Sequence, residues 1–401
     1  MSSPDIQIEV FGKTDVGLIR EHNEDNLLMA DLGGELKESV LEVPAKLALG
    51  PHGALFLVCD GMGGAAAGEV ASQMAVDAIF DVLAAGEADL PRDAFARQLR
   101  RAVETANDRI FQQSRDNQNE RGMGTTCTAA ALIDDALVVA QIGDSRCYVM
   151  RNQTLGQVTK DQSLAWQLIE AGALSHEDAK AFEHANIILQ ALGVQDRVEV
   201  VLSQVQLRKG DVVLLCSDGL HGPVSDEEIR DIMAGEPDLK KAGEALLQKA
   251  LEHDGPDNVT VVLARFDGAG LSDPAADERT GFVGYDPGRD PIPEGTGGDS
   301  GQATVARADV SGSDTTGTTE GPAPARPGAS RKRRAASSSS STAPTSREGK
   351  TPARADWRQG AAPEGARSIA VLFLIGLLAV AAGGIVALKC EQPPRAGEVR
   401  R

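Results

Sequence analysis

Four apolar runs of this chain each begin or end at an aspartate that is surrounded by small or polar residues. These aspartates are Asp60, Asp144, Asp218 and Asp257. Bare carboxylates at strand ends gather into one all-oxygen site, and oxygen ligands suit Mg2+ or Mn2+. A single Asp-Gly pair is usually only a turn. It is the combination of four such aspartates that predicts a metal centre.

The first two thirds of the chain have the pattern of one globular domain, residues 1–267. Short runs rich in Val, Leu and Ala, at least six in number, predict strands. Apolar spacing predicts helices over Ala65–Leu83 and Pro91–Gln113. Further helices are expected to begin after Ser175 and Ser225, each of which is followed three residues later by an acidic residue.

The composition changes after Asp267. Residues 268–367 are rich in Gly, Ser, Thr, Pro and Ala and include a basic cluster at Arg331–Arg334, so a disordered linker is expected. The cluster suits anionic lipid headgroups or a partner, and a solvated charge run explains it equally well.

Ser368–Leu388 then gives 21 uncharged, mostly apolar residues. That length fits a transmembrane helix, which would be followed by a short tail, residues 389–401. The excess of Lys and Arg before it predicts a single-pass tail anchor with the N-terminal domain in the cytoplasm.

The charge of the chain is divided unevenly. Residues 301–401 hold 15 Lys and Arg against 8 Asp and Glu, so their net charge is +7 and that of residues 1–300 is −26. An acidic domain with few aromatic residues is unsuited to nucleic acid, and no nucleic-acid partner is expected. The five cysteines form no CxxC pair and are interpreted as reduced core residues. No N-terminal signal peptide is expected either.

The polar string Arg20–Asn26 adds groups that suit phosphate chemistry. Arg20 can grip phosphate oxygens as a two-pronged donor, whereas Glu24 and Asp25 can order metal-bound waters. Two divalent ions bridged by one carboxylate can activate water and stabilise charge on a phosphoryl group. The string by itself would be an ordinary solvated turn, and its interpretation depends on the four aspartates.

Taken in order, these strings resemble the motifs of PPM/PP2C-type metal-dependent protein Ser/Thr phosphatases of the bacterial, Stp-like kind. The resemblance covers residues 5 to about 267. The matching strings are GLIREHNEDN (17–26), DGMGG (60–64), GEVAS (68–72), MGTT (123–126), GDSR (143–146), VTKDQSL (158–164), ALG (191–193), LLCSDGL (214–220) and GPDNVTVV (255–262). Each string alone is weak evidence for the family, but the whole set in this order is specific for it.

The resemblance implies an α+β fold in which two antiparallel sheets form a sandwich flanked by helices. It also implies a cleft with two tightly bound Mn2+ or Mg2+ ions and sometimes a third. Asp60 resembles the bridging carboxylate, and the Gly61 carbonyl resembles a ligand of one ion. Asp218 and Asp257 resemble the other aspartate ligands of the pair, and Asp144 resembles the residue that helps hold a third ion.

Other matching residues resemble groups that surround the metals. Arg20 corresponds to the arginine that binds the substrate phosphate, and Asn258 corresponds to a polar neighbour whose role stays open. The implied reaction is direct hydrolysis by metal-activated water without a phosphoenzyme. Phosphorylated proteins are the implied substrates, and a membrane Ser/Thr kinase of a bacterial inner membrane is the implied opposing partner.

The chain departs from the family pattern in two places. Met62 stands where some members carry a His, so a general acid at this position is excluded. In the flap, about residues 164–187, the chain lacks the Pro of a His-Pro pair found in many bacterial relatives. Asn186 is a weak candidate for a backbone contact to the third ion.

Two other classes of function remain open on the sequence. Gly61–Ala66 fits a dinucleotide fingerprint, with Asp81 twenty residues beyond Gly61, although Asp60 would repel the pyrophosphate. Alternatively, the domain is a membrane-tethered scaffold that binds phosphoproteins without hydrolysing them. The presence of Asp60, Asp218 and Asp257 favours the enzyme over the scaffold.

Overall fold

The computed structural model describes residues 5–63, 67–179, 182, 184 and 187–288. The predicted transmembrane helix at 368–388, the tail, most of the predicted linker and Asn186 lie outside these residues. Across the described ranges, no helix has the length and apolarity that crossing a membrane requires.

Thirteen strands of the described chain form two antiparallel sheets. The strands are β1 (Gln7–Asp15), β2 (Asp25–Asp31), β3 (Lys37–Glu38), β4 (Leu41–Ala48), β5 (Ala54–Met62), β6 (Gly124–Thr125), β7 (Cys127–Ile133), β8 (Ala136–Ile142), β9 (Arg146–Arg151), β10 (Thr154–Gln157), β11 (Val201–Gln206), β12 (Val212–Cys216) and β13 (Val259–Asp267). One sheet has the order β10-β9-β12-β13-β1-β4. The other has the order β11-β8-β7-β5-β2-β3, with β6 paired to the end of β5.

Helices cover the outer faces of both sheets. The helices of the described residues are α1 (Ala67–Ala84), α2 (Arg92–Asp116), α3 (Leu164–Glu170), α4 (His176–Ala179), α5 (Asp218–His221), α6 (Asp226–Gly235) and α7 (Leu239–Glu252), with a 3-10 turn at Gln118–Glu120. α1 and α2 pack on the β5–β7–β8 side, whereas α6 and α7 pack on the β12–β13 side. A third apolar cluster fills the space between the sheets. The predicted sandwich flanked by helices is therefore present.

The covering on both faces explains why the strands are apolar without alternation. Every residue of β7 and β8 is buried, because one face meets the opposite sheet and the other meets the helices. Gly243 lets α7 approach β1 closely, since a Cβ there would stand 2.2 Å from the Phe11 ring. At the start of α6, Ser225 and Glu228 form the predicted capping box.

The antiparallel pairing of β5 decides one of the open alternatives. β5 is hydrogen-bonded to β2 and β7, both antiparallel to it. A dinucleotide fold requires parallel strands joined by a helix, so the fingerprint interpretation of Gly61–Ala66 is wrong. Asp81 lies within α1 instead of at the end of a second parallel strand.

The chain remains packed on the domain for 21 residues past the predicted boundary, over the segment 268–288, here called the strap. Tyr285 and Leu271 are buried, and the Tyr285 amide donates to the Leu202 carbonyl of β11. The Tyr285 hydroxyl also donates to Asp93 at the start of α2. The strap has the composition of a linker because Leu271 and Tyr285 are separated by many Gly, Ser, Asp and Pro residues.

A buried ion cluster ties the strap to both sheets. Arg151, at the end of β9, donates to both carboxylate oxygens of Asp211 at 2.9 and 2.6 Å. Its guanidinium also donates to Glu278 of the strap at 2.7 Å and to the Gln206 carbonyl of β11 at 2.8 Å. All of these partners lie far along the chain from Arg151, so the cluster fixes their relative positions.

Candidate active site

Asp60 and Gly61 lie where β5 runs out of the sandwich. The Asp60 amide donates to Thr126 Oγ1 at 2.9 Å, and its carbonyl accepts from the Thr125 hydroxyl at 2.9 Å. A Cβ on Gly61 would stand only 2.2 Å from the Gly68 carbonyl oxygen, so only glycine fits between β5 and the start of α1. The local backbone is thereby fixed on both sides of the predicted bridging carboxylate.

Asp144 lies in the turn between β8 and β9, and a buried polar network supports this turn. Gln141 donates to the Gly143 and Ser145 carbonyls at 3.1 and 2.7 Å. The Ser145 hydroxyl pairs with Thr126 Oγ1 at 2.7 Å. Since Thr126 also accepts from the Asp60 amide, this bond links the Asp144 turn to the backbone of Asp60. His221 Nε2–H donates to the Asp144 carbonyl at 3.0 Å. Burial lowers the pKa of His221 well below its usual value, so the ring is neutral.

Asp218 begins the short helix α5, directly after β12. The preceding residue, Ser217, donates from its hydroxyl to Asp25 Oδ2 at 2.7 Å, and Thr260 donates to the same oxygen at 2.6 Å. Asp25 is paired with Asp60 across β2 and β5. The ends of β2, β5, β12 and β13 therefore meet at one place and bring these carboxylates together.

Asp257 and Arg20 form an ion pair at the edge of this site. Arg20 Nη2 donates to Asp257 Oδ2 at 2.7 Å, and the arginine side chain is about half exposed. Asn258 holds the Arg20 loop against β13 by donating to the Val16 and His22 carbonyls, both at 2.9 Å. The Asn258 side chain also accepts from the Glu24 amide at 2.8 Å. Its role is thus to clamp the loop that carries Arg20 and Glu24.

The carboxylates raise one another's pKa values. Burial, followed by the charges of Asp25, Asp218, Asp144 and Asp257, raises the pKa of Asp60 well above its usual range. Burial is also the main cause for the others: the pKa of Asp144 rises to about 8 and that of Asp25 to about 7, and those of Asp218 and Glu24 rise as well. Carboxylates gathered this closely, two of them on buried residues, repel one another unless cations or protons neutralise them.

The donor atoms fit a divalent-cation centre. Asp25 Oδ1, Asp144 Oδ1 and Asp218 Oδ1 are buried and have no hydrogen-bond partner. Buried carboxylate oxygens rarely lack partners, and here they lie beside further carboxylates, the ligand type that Mg2+ and Mn2+ prefer. Within the described residues, no three His, Cys, Asp or Glu side chains form a complete ligand set in their present positions.

Several functional contacts were not predicted from the sequence. Ser217 and Thr260 hold Asp25, His221 holds the Asp144 turn, and Gln141 joins that turn to its neighbours. Ser217 lies within the matched string 214–220 and His221 directly follows it, so their closeness to Asp218 in the sequence could have suggested a role for them. Gln141 lies inside an apolar strand, where its polarity was the only available signal.

Together the fold and site define a class: an α+β sandwich of two antiparallel sheets with a carboxylate-rich centre at the strand ends and an arginine at its rim. The sequence profile described as Protein phosphatase 2C matches residues 46–263. The chain therefore belongs to the protein phosphatase 2C family.

Named relatives agree with this assignment. The chain is 38% identical over 251 residues to the serine/threonine phosphatase stp of Listeria welshimeri. The aligned region covers 63% of this chain and 93% of that protein. It is 34% identical over 264 residues to the serine/threonine protein phosphatase PstP of Mycobacterium tuberculosis, covering 66% of this chain and 46% of the relative.

Solved structures are similar in the same region. The crystal structure of the Mycobacterium tuberculosis phosphatase PstP/Ppp has a TM-score of 0.55 and 34% identity, covering 66% of this chain and 99% of the other. A catalytic domain of PstP in complex with two manganese ions has a TM-score of 0.54 and 33% identity, covering 65% of this chain and 99% of that domain.

Proposed function

We propose that this protein hydrolyses phosphoserine and phosphothreonine in phosphorylated proteins, using two or three Mn2+ or Mg2+ ions. The observation that carries the proposal is the convergence of Asp60, Asp144, Asp218 and Asp257 beside Arg20, with buried carboxylate oxygens that have no partner. Family membership and the manganese ions of the related PstP domain support it.

Each residue of the site has a definite task in this proposal. Asp60, Asp218 and Asp257, with the Gly61 carbonyl, would hold the ion pair, and Asp144 would hold a third ion. When bound, the ions supply an activated water and neutralise phosphoryl charge. The Arg20 side chain is about half exposed beside Asp257, so it would bind phosphate oxygens once Asp257 is a metal ligand.

The surrounding groups position this set. Glu24 and Asp25 order water at the site, Asp25 being oriented by two hydroxyl groups. Cysteine chemistry is disfavoured, because the four described cysteines are buried and burial raises the pKa values of Cys147 and Cys216. Direct attack by water therefore suits the site better than a phosphocysteine intermediate.

Activity should depend wholly on divalent metal. The full chain is assayed on p-nitrophenyl phosphate and on a phosphothreonine peptide with Mn2+, with Mg2+ and with EDTA. Turnover that EDTA lowers by at least about a thousandfold, and that added metal restores, is expected because the carboxylates alone repel phosphate. A folded, metal-binding protein without turnover would instead support the phosphoprotein-binding scaffold.

We also propose a location and a partner class from the sequence outside the described residues. The apolar segment at 368–388 anchors the chain in the bacterial inner membrane, with the catalytic domain in the cytoplasm, opposite a membrane Ser/Thr kinase. A long linker raises the effective concentration of the domain near membrane substrates.

Deletion of residues 368–401 tests the anchor. Activity on a soluble phosphopeptide should remain the same, whereas dephosphorylation of membrane-bound phosphoproteins in vesicles should fall because the effective concentration is lost. Equal loss of both activities would contradict the tethering proposal.

A further inference from the structure

Two large apolar side chains stand in solvent beside the predicted phosphate-binding arginine. Leu18 is 64% exposed and Ile19 is 69% exposed, and Ile19 directly precedes Arg20. Such exposure is unremarkable for one isolated residue, but neighbouring apolar residues at the rim of a site mark an interaction surface.

Backbone contacts hold the turn that carries these side chains against the loop of residues 255–257. The Leu18 amide donates to the Gly255 carbonyl at 2.9 Å. Gly17 has a φ of +78°, and a Cβ there would stand 2.2 Å from the Asp257 carbonyl oxygen. The backbone of the Arg20 loop is therefore in direct contact with the loop of a predicted metal ligand.

Exposed apolar side chains also occur in a second segment tied to the site. Ile187, Leu189 and Val194 are 40–49% exposed. The Leu189 amide donates to the carbonyl of Gln162, whose side chain accepts from the Gly143 amide beside Asp144. Five of the eight exposed large apolar residues in the described chain thus belong to these two segments, each of which is hydrogen-bonded to a loop that carries a site aspartate.

We propose that Leu18 and Ile19 bind an apolar side chain that lies next to the phosphorylated residue of a protein substrate. This inference rests on the proposed function. Leu18 and Ile19 directly precede Arg20. Because consecutive Cα atoms are about 3.8 Å apart, the residue next to a phosphorylated residue bound at Arg20 is within reach of these two side chains. The substrate class is therefore a phosphopeptide with apolar residues flanking the phosphoserine or phosphothreonine.

The test compares two phosphothreonine peptides that carry either Leu or Ser on both sides of the phosphothreonine. The full-length protein with Mn2+ is expected to prefer the Leu peptide by about tenfold in kcat/KM, which is the discrimination that one apolar contact supplies. The double variant Leu18→Ser with Ile19→Thr should turn over the two peptides about equally. Val43→Thr is the matched control, because Val43 is 72% exposed on β4 at the far edge of its sheet.

The outcomes separate this inference from the proposed function. Equal use of both peptides by the unaltered protein would overturn the inference while leaving the phosphatase intact. A double variant that loses turnover of p-nitrophenyl phosphate as strongly as that of the Leu peptide would also overturn it. If no substrate is hydrolysed, the proposed function fails, and fluorescence anisotropy of the same labelled peptides still decides whether Leu18 and Ile19 discriminate between them.

Discussion

Replacing Asp60 by Asn should abolish phosphatase activity and, at the same time, stabilise the metal-free protein. The loss of turnover is expected to reach at least about a thousandfold, because the predicted bridging ligand loses its charge. The gain in stability is expected because Asp60 is surrounded by other carboxylates that it repels.

The pH dependence gives the sign of the stability effect. Below the ordinary carboxyl pKa of 3.8, Asp60 is protonated in both the folded and the unfolded state, so its ionisation carries no penalty. As the pH rises, the unfolded state ionises first, and the folded state loses relative stability until the raised pKa is reached. At pH 7.5 the unaltered metal-free protein therefore carries a penalty that the Asp60→Asn variant lacks.

Thermal unfolding in EDTA and in Mn2+ measures both effects. In EDTA the Tm of Asp60→Asn should exceed that of the unaltered protein at pH 7.5 and approach it near pH 3. In Mn2+ the unaltered protein should gain Tm through binding, whereas the variant should gain little. Asp77→Asn, on the exposed face of α1, is the control and should change neither Tm nor turnover. A lower Tm for Asp60→Asn in EDTA would contradict the electrostatic account.

The second large effect concerns stability away from the site. Arg151→Met should lower the free energy of unfolding by about 3–5 kcal/mol, because it leaves Asp211 buried without its main partner. The side chains of Arg151 and Asp211 are only 3% and 1% exposed, so water cannot replace the lost contacts. Urea unfolding of the EDTA-treated protein, followed by circular dichroism, measures the change.

A double substitution and a surface pair provide the controls. Arg151→Met combined with Asp211→Leu should recover part of the loss, since the uncompensated charge is removed with its partner. Arg230→Met breaks an exposed pair with Asp231 and should change stability by less than about 1 kcal/mol. Similar losses for Arg230→Met and Arg151→Met would show that burial is not the reason for the effect.

The sequence predicted what depends on local pattern and on ordered motifs. The sandwich with flanking helices, α1, α2 and the capping box at Ser225 are confirmed. The convergence of the strand ends that carry Asp60, Asp218 and Asp257 followed from their similar settings in the sequence.

What the sequence did not predict depends on contacts between distant residues. The Arg151 cluster joins positions 60 and 127 residues apart, which neither periodicity nor composition can pair. The strap was assigned to the linker because an average over 100 residues conceals two anchors, Leu271 and Tyr285. The ion pair between Arg20 and Asp257 also required the fold, since 237 residues separate the two.

The strap couples the unfolding of the two sheets. It accepts bonds from β9 and donates to β11, so it bridges strands that belong to different sheets. The backbone amides of β9 and β11 should therefore lose their protection from hydrogen exchange in one cooperative step, together with those of the strap. A protease cut after Asp267 would separate that unit, free the outer edge of β11 and leave it available to pair with another chain.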